Sequence, residues 1–238
     1  GDRVRYTDDG AGWHTLILAG FSSMVTSFAR DGNSQLWIGT LGQGVYAYDG
    51  STSTPYTVTS GLPGNTVKAL LTDQLGRMWV GTTAGLAMRA EAGYWLTFTT
   101  STSPLADNSV TALARDRDRL WIGTSANGIS IYDLNAVGAA AWSTQTMATG
   151  LPSNAINSLA RDPSGVMWAA TDAGVGAWNP KSQTWTLYNT ANGTLPGDTA
   201  ASVTADPAGR IWVTTDGGVA QRQGTRWRAF HVPGASLE

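Results

Sequence analysis

One short pattern returns five times along this chain, and it limits the possible folds more than any other feature. Asp31-Gly-Asn-Ser-Gln-Leu-Trp37-Ile-Gly-Thr40 is followed by Asp73-Gln-Leu-Gly-Arg-Met-Trp79-Val-Gly-Thr82. A copy one residue shorter comes next, Asp116-Arg-Asp-Arg-Leu-Trp121-Ile-Gly-Thr124. Asp162-Pro-Ser-Gly-Val-Met-Trp168-Ala-Ala-Thr171 and Asp206-Pro-Ala-Gly-Arg-Ile-Trp212-Val-Thr-Thr215 complete the series. The tryptophans are 42, 42, 47 and 44 residues apart. A unit of that length cannot bury its apolar surface alone, so neighbouring units must stack.

Each repeat reads as four short strands. The first precedes the aspartate, at Val25–Arg30, Val67–Thr72, Val110–Arg115, Ile156–Arg161 and Ala201–Ala205. Most of these begin β-branched and carry little charge, as expected of strands covered on both faces. A turn follows; in Asp162-Pro163-Ser164-Gly165 the aspartate accepts nearby backbone N–H groups, proline presets φ and glycine takes the left-handed region. The second strand carries the tryptophan, and the Gly-Thr after it is expected to let the backbone turn tightly. Third strands are predicted at Val45–Asp49, Leu86–Arg89, Ile129–Asp133, Val175–Asn179 and Val219–Arg222. The outermost strand is aromatic: Tyr56, Trp95 and Phe98, Trp142, Trp185 and Tyr188, Trp227 and Phe230. Small sheets with two apolar faces are buried by radial stacking, so the expected fold is an all-β propeller of four-stranded blades. The repeated tryptophans then fill the space between blades.

Arg3–Tyr6 and Gly12–Leu16 match the last two strands of a repeat. The expectation is a single propeller domain over 1–238, with a half blade at 1–19 and repeats at about 20–59, 60–102, 103–149, 150–193 and 194–233. Such a ring is six-bladed when complete. An unfilled half blade leaves an open strand edge, so self-association at the seam, or a gain in stability from added downstream sequence, is expected. The opening Gly-Asp-Arg, without methionine or a hydrophobic leader, reads as a mature or excised segment.

The repeat, with its Gly-Leu-Pro-x-Asn linker, inner strand, Asp-x-x-Gly-x-x-Trp-x-Gly-Thr and aromatic outer strand, resembles the two-component regulator propeller repeat. That resemblance implies the periplasmic sensor half of a bacterial hybrid two-component system, of a kind read as polysaccharide or oligosaccharide sensors, and so an extracytoplasmic location. The chain departs from the pattern at Ala169-Ala170, at Val213-Thr214 and in the third copy, which lacks the turn glycine.

Composition excludes several other functions. Only two lysines, Lys68 and Lys181, and a net charge of −2 argue against a nucleic-acid partner. No stretch of 18 apolar residues is present, so insertion into a membrane by a helix is not expected. The chain has no cysteine and only two histidines, His14 and His231. Asp107, Asp116 and Asp118 lack metal-loop spacing, and neither a metal nor a cofactor is expected. A resemblance to streptogramin lyases, another tryptophan-repeat propeller, implies a histidine near the axis, and no inner strand here supplies one. The repeated aspartates Asp31, Asp73, Asp116, Asp162 and Asp206 read as turn caps rather than a catalytic carboxylate array.

The remaining candidates lie on the face that carries the linkers and the glycine loops. Eight residues before each turn aspartate stand Ser23, Asn65, Asn108, Asn154 and Asp198. Five before it stand Thr26, Lys68, Thr111, Asn157 and Ala201, and the glycine loops add Gln43, Thr83, Asn127, Asp172 and Asp216. The ligand-binding set expected from these is Asn65, Lys68, Asn108, Thr111, Asn127, Asn154, Asn157, Asp172, Asp198 and Asp216. Amides and hydroxyls with few charges suit a sugar or peptide better than a phosphate. The bland alternative is that these residues only start strands and cap turns. The leading expectation is a non-catalytic module that binds or senses a small molecule or oligosaccharide. A structural propeller that docks another protein domain is the second, and a lyase or hydrolase the third.

Overall fold

The structure, a computed structural model, describes residues 4–6, 14–16, 18, 20–90 and 92–230. The backbone forms two compact units, Gly1–Ser103 with Asn108–Val110, and Pro104–Asp107 with Thr111–Glu238. Among the described residues secondary structure is almost entirely strand, interrupted by short 3-10 turns.

The first unit holds a hairpin and two four-stranded meanders. The hairpin pairs β1 (Val4–Tyr6) with β2 (His14–Leu16), Val4 opposite Leu16. The first meander is β3 (Val25–Arg30), β4 (Leu36–Thr40), β5 (Val45–Tyr48) and β6 (Ser53–Tyr56). The second is β7 (Val67–Thr72), β8 (Met78–Thr82), β9 (Gly85–Arg89) and β10 (Trp95–Phe98). The hairpin buries Val4, Leu16 and Leu18 against Ile38 and Tyr46. Of the residues that predict it, Arg3, Gly12 and Trp13 lie outside the described residues, as does His231.

The second unit holds three meanders. They are β11 (Val110–Asp116) to β14 (Trp142–Gln145), with β12 at Arg119–Thr124 and β13 at Ile129–Asp133. Next are β15 (Ile156–Arg161), β16 (Met167–Thr171), β17 (Gly174–Asn179) and β18 (Thr184–Tyr188). Last are β19 (Ala200–Ala205), β20 (Ile211–Thr215), β21 (Gly218–Gln223) and β22 (Arg226–Phe230). Every expected strand is present, with ends shifted by a residue or two.

The repeated tryptophan joins one sheet to the next. Trp37 packs on Leu62, Val67 and Met78 of the following repeat in the first unit. Trp121 does the same with Leu151, Ile156 and Met167 in the second, and Trp168 with Leu195, Ala200 and Ile211. Trp212 is half-buried and stacks on Phe230 of its own sheet at 6.0 Å.

The glycine after the tryptophan has a different role from the expected turn. Gly39, Gly81 and Gly123 lie within strands that continue past them. A Cβ on Gly39 would stand 2.7 Å from Val67 Cγ1 in the first unit, and one on Gly123 2.6 Å from Ile156 Cγ2 in the second. Glycine is required there so that the next inner strand can approach closely.

Candidate functional site

In a meander, the linkers before each first strand and the loops after each second strand lie at one end, and the aspartate turns at the other. At the linker end the motif threonine organises the glycine loop. Thr40, Thr82, Thr124, Thr171 and Thr215 are buried, and each Oγ1 donates to a glycine carbonyl three or four residues on, at 2.7–3.0 Å. The same oxygens accept backbone N–H groups of Gln43, Ala84, Asn127, Ala173 and Gly217. The loop is thereby held at both sides, and the side chains at its tip face solvent: Asn127, Asp172 and Asp216 are exposed. The linkers are anchored by Leu62, Leu105, Leu151 and Leu195, all buried.

The ten expected residues fall into three groups. Asn65, Asn108, Asn154 and Asp198 cap their own linkers, accepting the N–H of Val58, Thr100, Met147 and Thr190 at 2.8–2.9 Å. In the second group, Lys68 and Asn157 occupy β-bulges. Register shifts between Val25 and Ser27, Val67 and Ala69, Ile156 and Ser158, and Ala200 and Ser202, so Thr26, Lys68, Asn157 and Ala201 are the extra residues. All four are exposed. A bulge leaves a residue outside the ladder and re-aims its side chain; here it does so at one place in each of these repeats. Thr111, at the matching position of β11, donates through Oγ1 to the Ile156 carbonyl.

The glycine-loop residues form the third group. Asp172 meets Asn157 directly: Asn157 Nδ2 donates to Asp172 Oδ1 at 2.8 Å and to the Ala200 carbonyl at 3.0 Å. Asp216 Oδ1 accepts the Thr199 N–H at 3.3 Å. In the second unit this end carries Asp107, Asp172, Asp198 and Asp216, and among the described residues no lysine or arginine.

The opposite end is built on carboxylates satisfied within their own turns. Asp31 Oδ1 accepts the N–H of Asn33 and Gln35, and its Oδ2 accepts the Trp37 indole N–H at 3.0 Å. Asp73, Asp162 and Asp206 repeat the arrangement, with indole contacts at 3.0, 3.0 and 3.4 Å. Burial pushes the Asp162 carboxyl up, but hydrogen bonds from Ser164, the Trp168 indole and Val166 outweigh it and hold the group below its ordinary value. These aspartates are turn caps, as the sequence implies. Their bond to the indole explains why aspartate and tryptophan stand six residues apart in these four copies.

The third repeat differs. Its missing residue puts Arg117 rather than glycine in the left-handed region, at φ 53°. Asp116 then stands five residues from its tryptophan and pairs instead with Arg161 Nε at 2.6 Å. Trp121 Nε1 is buried without a partner. Among the described residues, no group of three histidine or acidic side chains is placed to hold a metal ion.

Four-stranded meanders stacked on periodic tryptophans, with caps at one end and bulged inner strands at the other, define a β-propeller. Residues 61–84, 104–126 and 150–173 match the family described as two component regulator propeller. Three segments of this chain, in its linkers and inner strands, thus match that repeat family. The extracellular domain of a putative hybrid two component system from B. thetaiotaomicron is similar at 23% identity and TM-score 0.79, over 91% of this chain and 30% of that one. The chain thus spans under a third of that relative's length. PorZ, a surface component of the type-IX secretion system of Porphyromonas gingivalis, is similar at 17% identity and TM-score 0.67, over 99% of this chain and 39% of that one. Virginiamycin B lyase from Staphylococcus aureus is similar at 13% identity and TM-score 0.65, over 93% and 74%. These likenesses are of fold. No curated protein matches the chain.

Proposed function

We propose that this chain is an extracytoplasmic, non-catalytic propeller that binds or senses a polar, largely uncharged ligand such as an oligosaccharide at its linker end. The observation that carries the reading is the bulge in the inner strand, which puts Lys68 in the first unit and Asn157 in the second outside the ladder and in solvent. The bulge recurs in four repeats, at Ala201 as well, so it belongs to the scaffold, and in these two repeats it turns a polar side chain outward. Asn157 and Asp172 together present amide and carboxylate groups suited to sugar hydroxyls. The family supports the location: similar structures are extracellular domains of two-component systems, and no helix among the described residues is long and apolar enough to cross a membrane. A non-catalytic role fits a sequence whose two histidines lie outside every inner strand.

A second reading, docking of another protein domain, is favoured by one observation. In the first unit Met24 and Val58, beside linkers, are 70% and 48% exposed, and in the second Met147 is 59% exposed; apolar side chains left in solvent are available to a partner surface. A glycan array separates the two readings. Binding to a defined oligosaccharide supports the sensor; an array without hits, from folded protein, supports docking.

A further inference from the structure

The aspartate-turn end of the first unit contains a cleft that none of the sequence candidates enter. Its volume is about 450 Å³, and Asp31, Asn33, Gln35, Tyr56, Arg77 and Arg89 are among the residues lining it. That is within the usual range for small-molecule sites, roughly 300–1,000 Å³. The two turns that floor it touch: a Cβ on Gly32 would stand 3.1 Å from Gly76 Cα.

Its formal charges balance, Arg77 and Arg89 against Asp31 and Asp73, but its hydrogen-bond donors are not all used. The Asp31 carboxylate is occupied by two backbone N–H groups and the Trp37 indole. Arg77 uses Nε on Asp73 at 2.6 Å, yet its Nη2 is buried and has no hydrogen-bond partner. Arg89 meets no carboxylate among the described residues. Its guanidinium lies 4.4 Å from the Tyr56 ring centroid and 5.3 Å from that of Trp95, and Nη2 donates to Tyr56 Oη at 3.1 Å. The rings hold it flat, which fixes the direction of its remaining N–H groups.

The same pair recurs in the fifth repeat at the same spacing. Arg210 pairs with Asp206, and Arg222 lies over Trp168 and Tyr188 with its Nε buried and unpartnered. The fourth repeat has Val166 and Trp178 at these positions, and there the rings of Trp121, Trp178 and Trp185 pack on one another without a cation. Packing alone is thus satisfied without arginine, and the pair with spare donors is a separate feature.

We propose that the Arg77–Arg89 cleft binds a small organic carboxylate, the planar anion that matches guanidinium forks, with Asn33 and Gln35 receiving its neutral part. This site is independent of the linker-end reading. An acidic sugar and a peptide C-terminus carry the same group, so galacturonate and N-acetyldiglycine are titrated separately, with galactose as the neutral control, by calorimetry and tryptophan fluorescence. The expected result is binding of one or both carboxylates but not galactose; which of them binds names the source. Arg89→Ala and, independently, Arg77→Gln should each weaken binding about tenfold or more, Arg89→Lys should weaken it less, and Arg117→Ala, an exposed guanidinium in the third repeat, should leave it unchanged. If neither carboxylate binds, if galactose binds equally, or if folded Arg89→Ala and Arg77→Gln proteins bind as the parent does, the proposal is overturned.

Discussion

The two ends of each blade use the same residue types for opposite purposes. At the aspartate-turn end, a carboxylate accepts backbone N–H groups and a buried indole, and its contacts close within one turn. At the linker end, caps such as Asn65 and Asn154 hold the loops, while the bulged Lys68 and Asn157 face outward. The carboxylates of the first end therefore belong to stability, and only the arginines beside them are left for another role. The second end carries exposed polar side chains, although Asn157 donates to both Asp172 and the Ala200 carbonyl. The third repeat is an internal control, because it keeps the tryptophan while losing the carboxylate that serves it elsewhere.

Removing the ring should have the largest effect. Trp121→Ala is expected to cost about 3–5 kcal/mol, since Trp121 is buried against Trp178 and Trp185. A loss below about 1 kcal/mol in chemical denaturation would remove it from the core. A finer contrast isolates the indole bond. Trp168→Phe and Trp121→Phe delete the same atoms, but only Trp168 donates to an aspartate. Trp168→Phe should cost about 1–2 kcal/mol more than Trp121→Phe, and equal costs would mean that the bond contributes nothing.

Acid should expose the same asymmetry. The folded Asp162 carboxyl lies below its unfolded value of 3.8, so its contribution is present above about pH 4 and is lost as pH falls through the folded value. Asp162→Asn should therefore flatten the fall in stability as pH drops below about 4; an unchanged slope would contradict this. Breaking the substitute contact in the third repeat should matter less. The Arg161–Asp116 side chains are 30% and 20% exposed, and Arg161→Met should cost under about 1 kcal/mol.

Much of the scaffold was legible in the residues. The tryptophan period set the repeat, alternating turn and strand residues set the meander, and Asp-Pro-Ser-Gly named its turn. What escaped depended on geometry finer than spacing. Ser34 and Arg117 occupy left-handed positions where glycine stands in other copies, at φ 63° and 53°, which no turn propensity favours. The glycine after the tryptophan read as a hinge because its true constraint, a strand from the next repeat, is distant in sequence. The candidate site was half legible. Counting back from the aspartate found Lys68 and Asn157, but periodicity does not distinguish a bulged residue from a paired one. The Arg77–Arg89 cleft stayed hidden because Arg77 follows the aspartate turn and Arg89 ends β9, and the two line one cleft only through the fold.

The smallest effect on stability is expected at the linker end, and there the account is most exposed. The double variant Asn157→Ala with Asp172→Ala removes the contact between a bulge and a glycine loop and should shift unfolding by no more than about 0.5 kcal/mol. Its affinity for an oligosaccharide identified by glycan array, measured by calorimetry beside the parent protein, tests the central claim most directly. The prediction is a loss of about tenfold or more with the unfolding midpoint nearly unchanged. Parent-like affinity in the folded double variant would contradict it and move the binding surface away from the bulged strands.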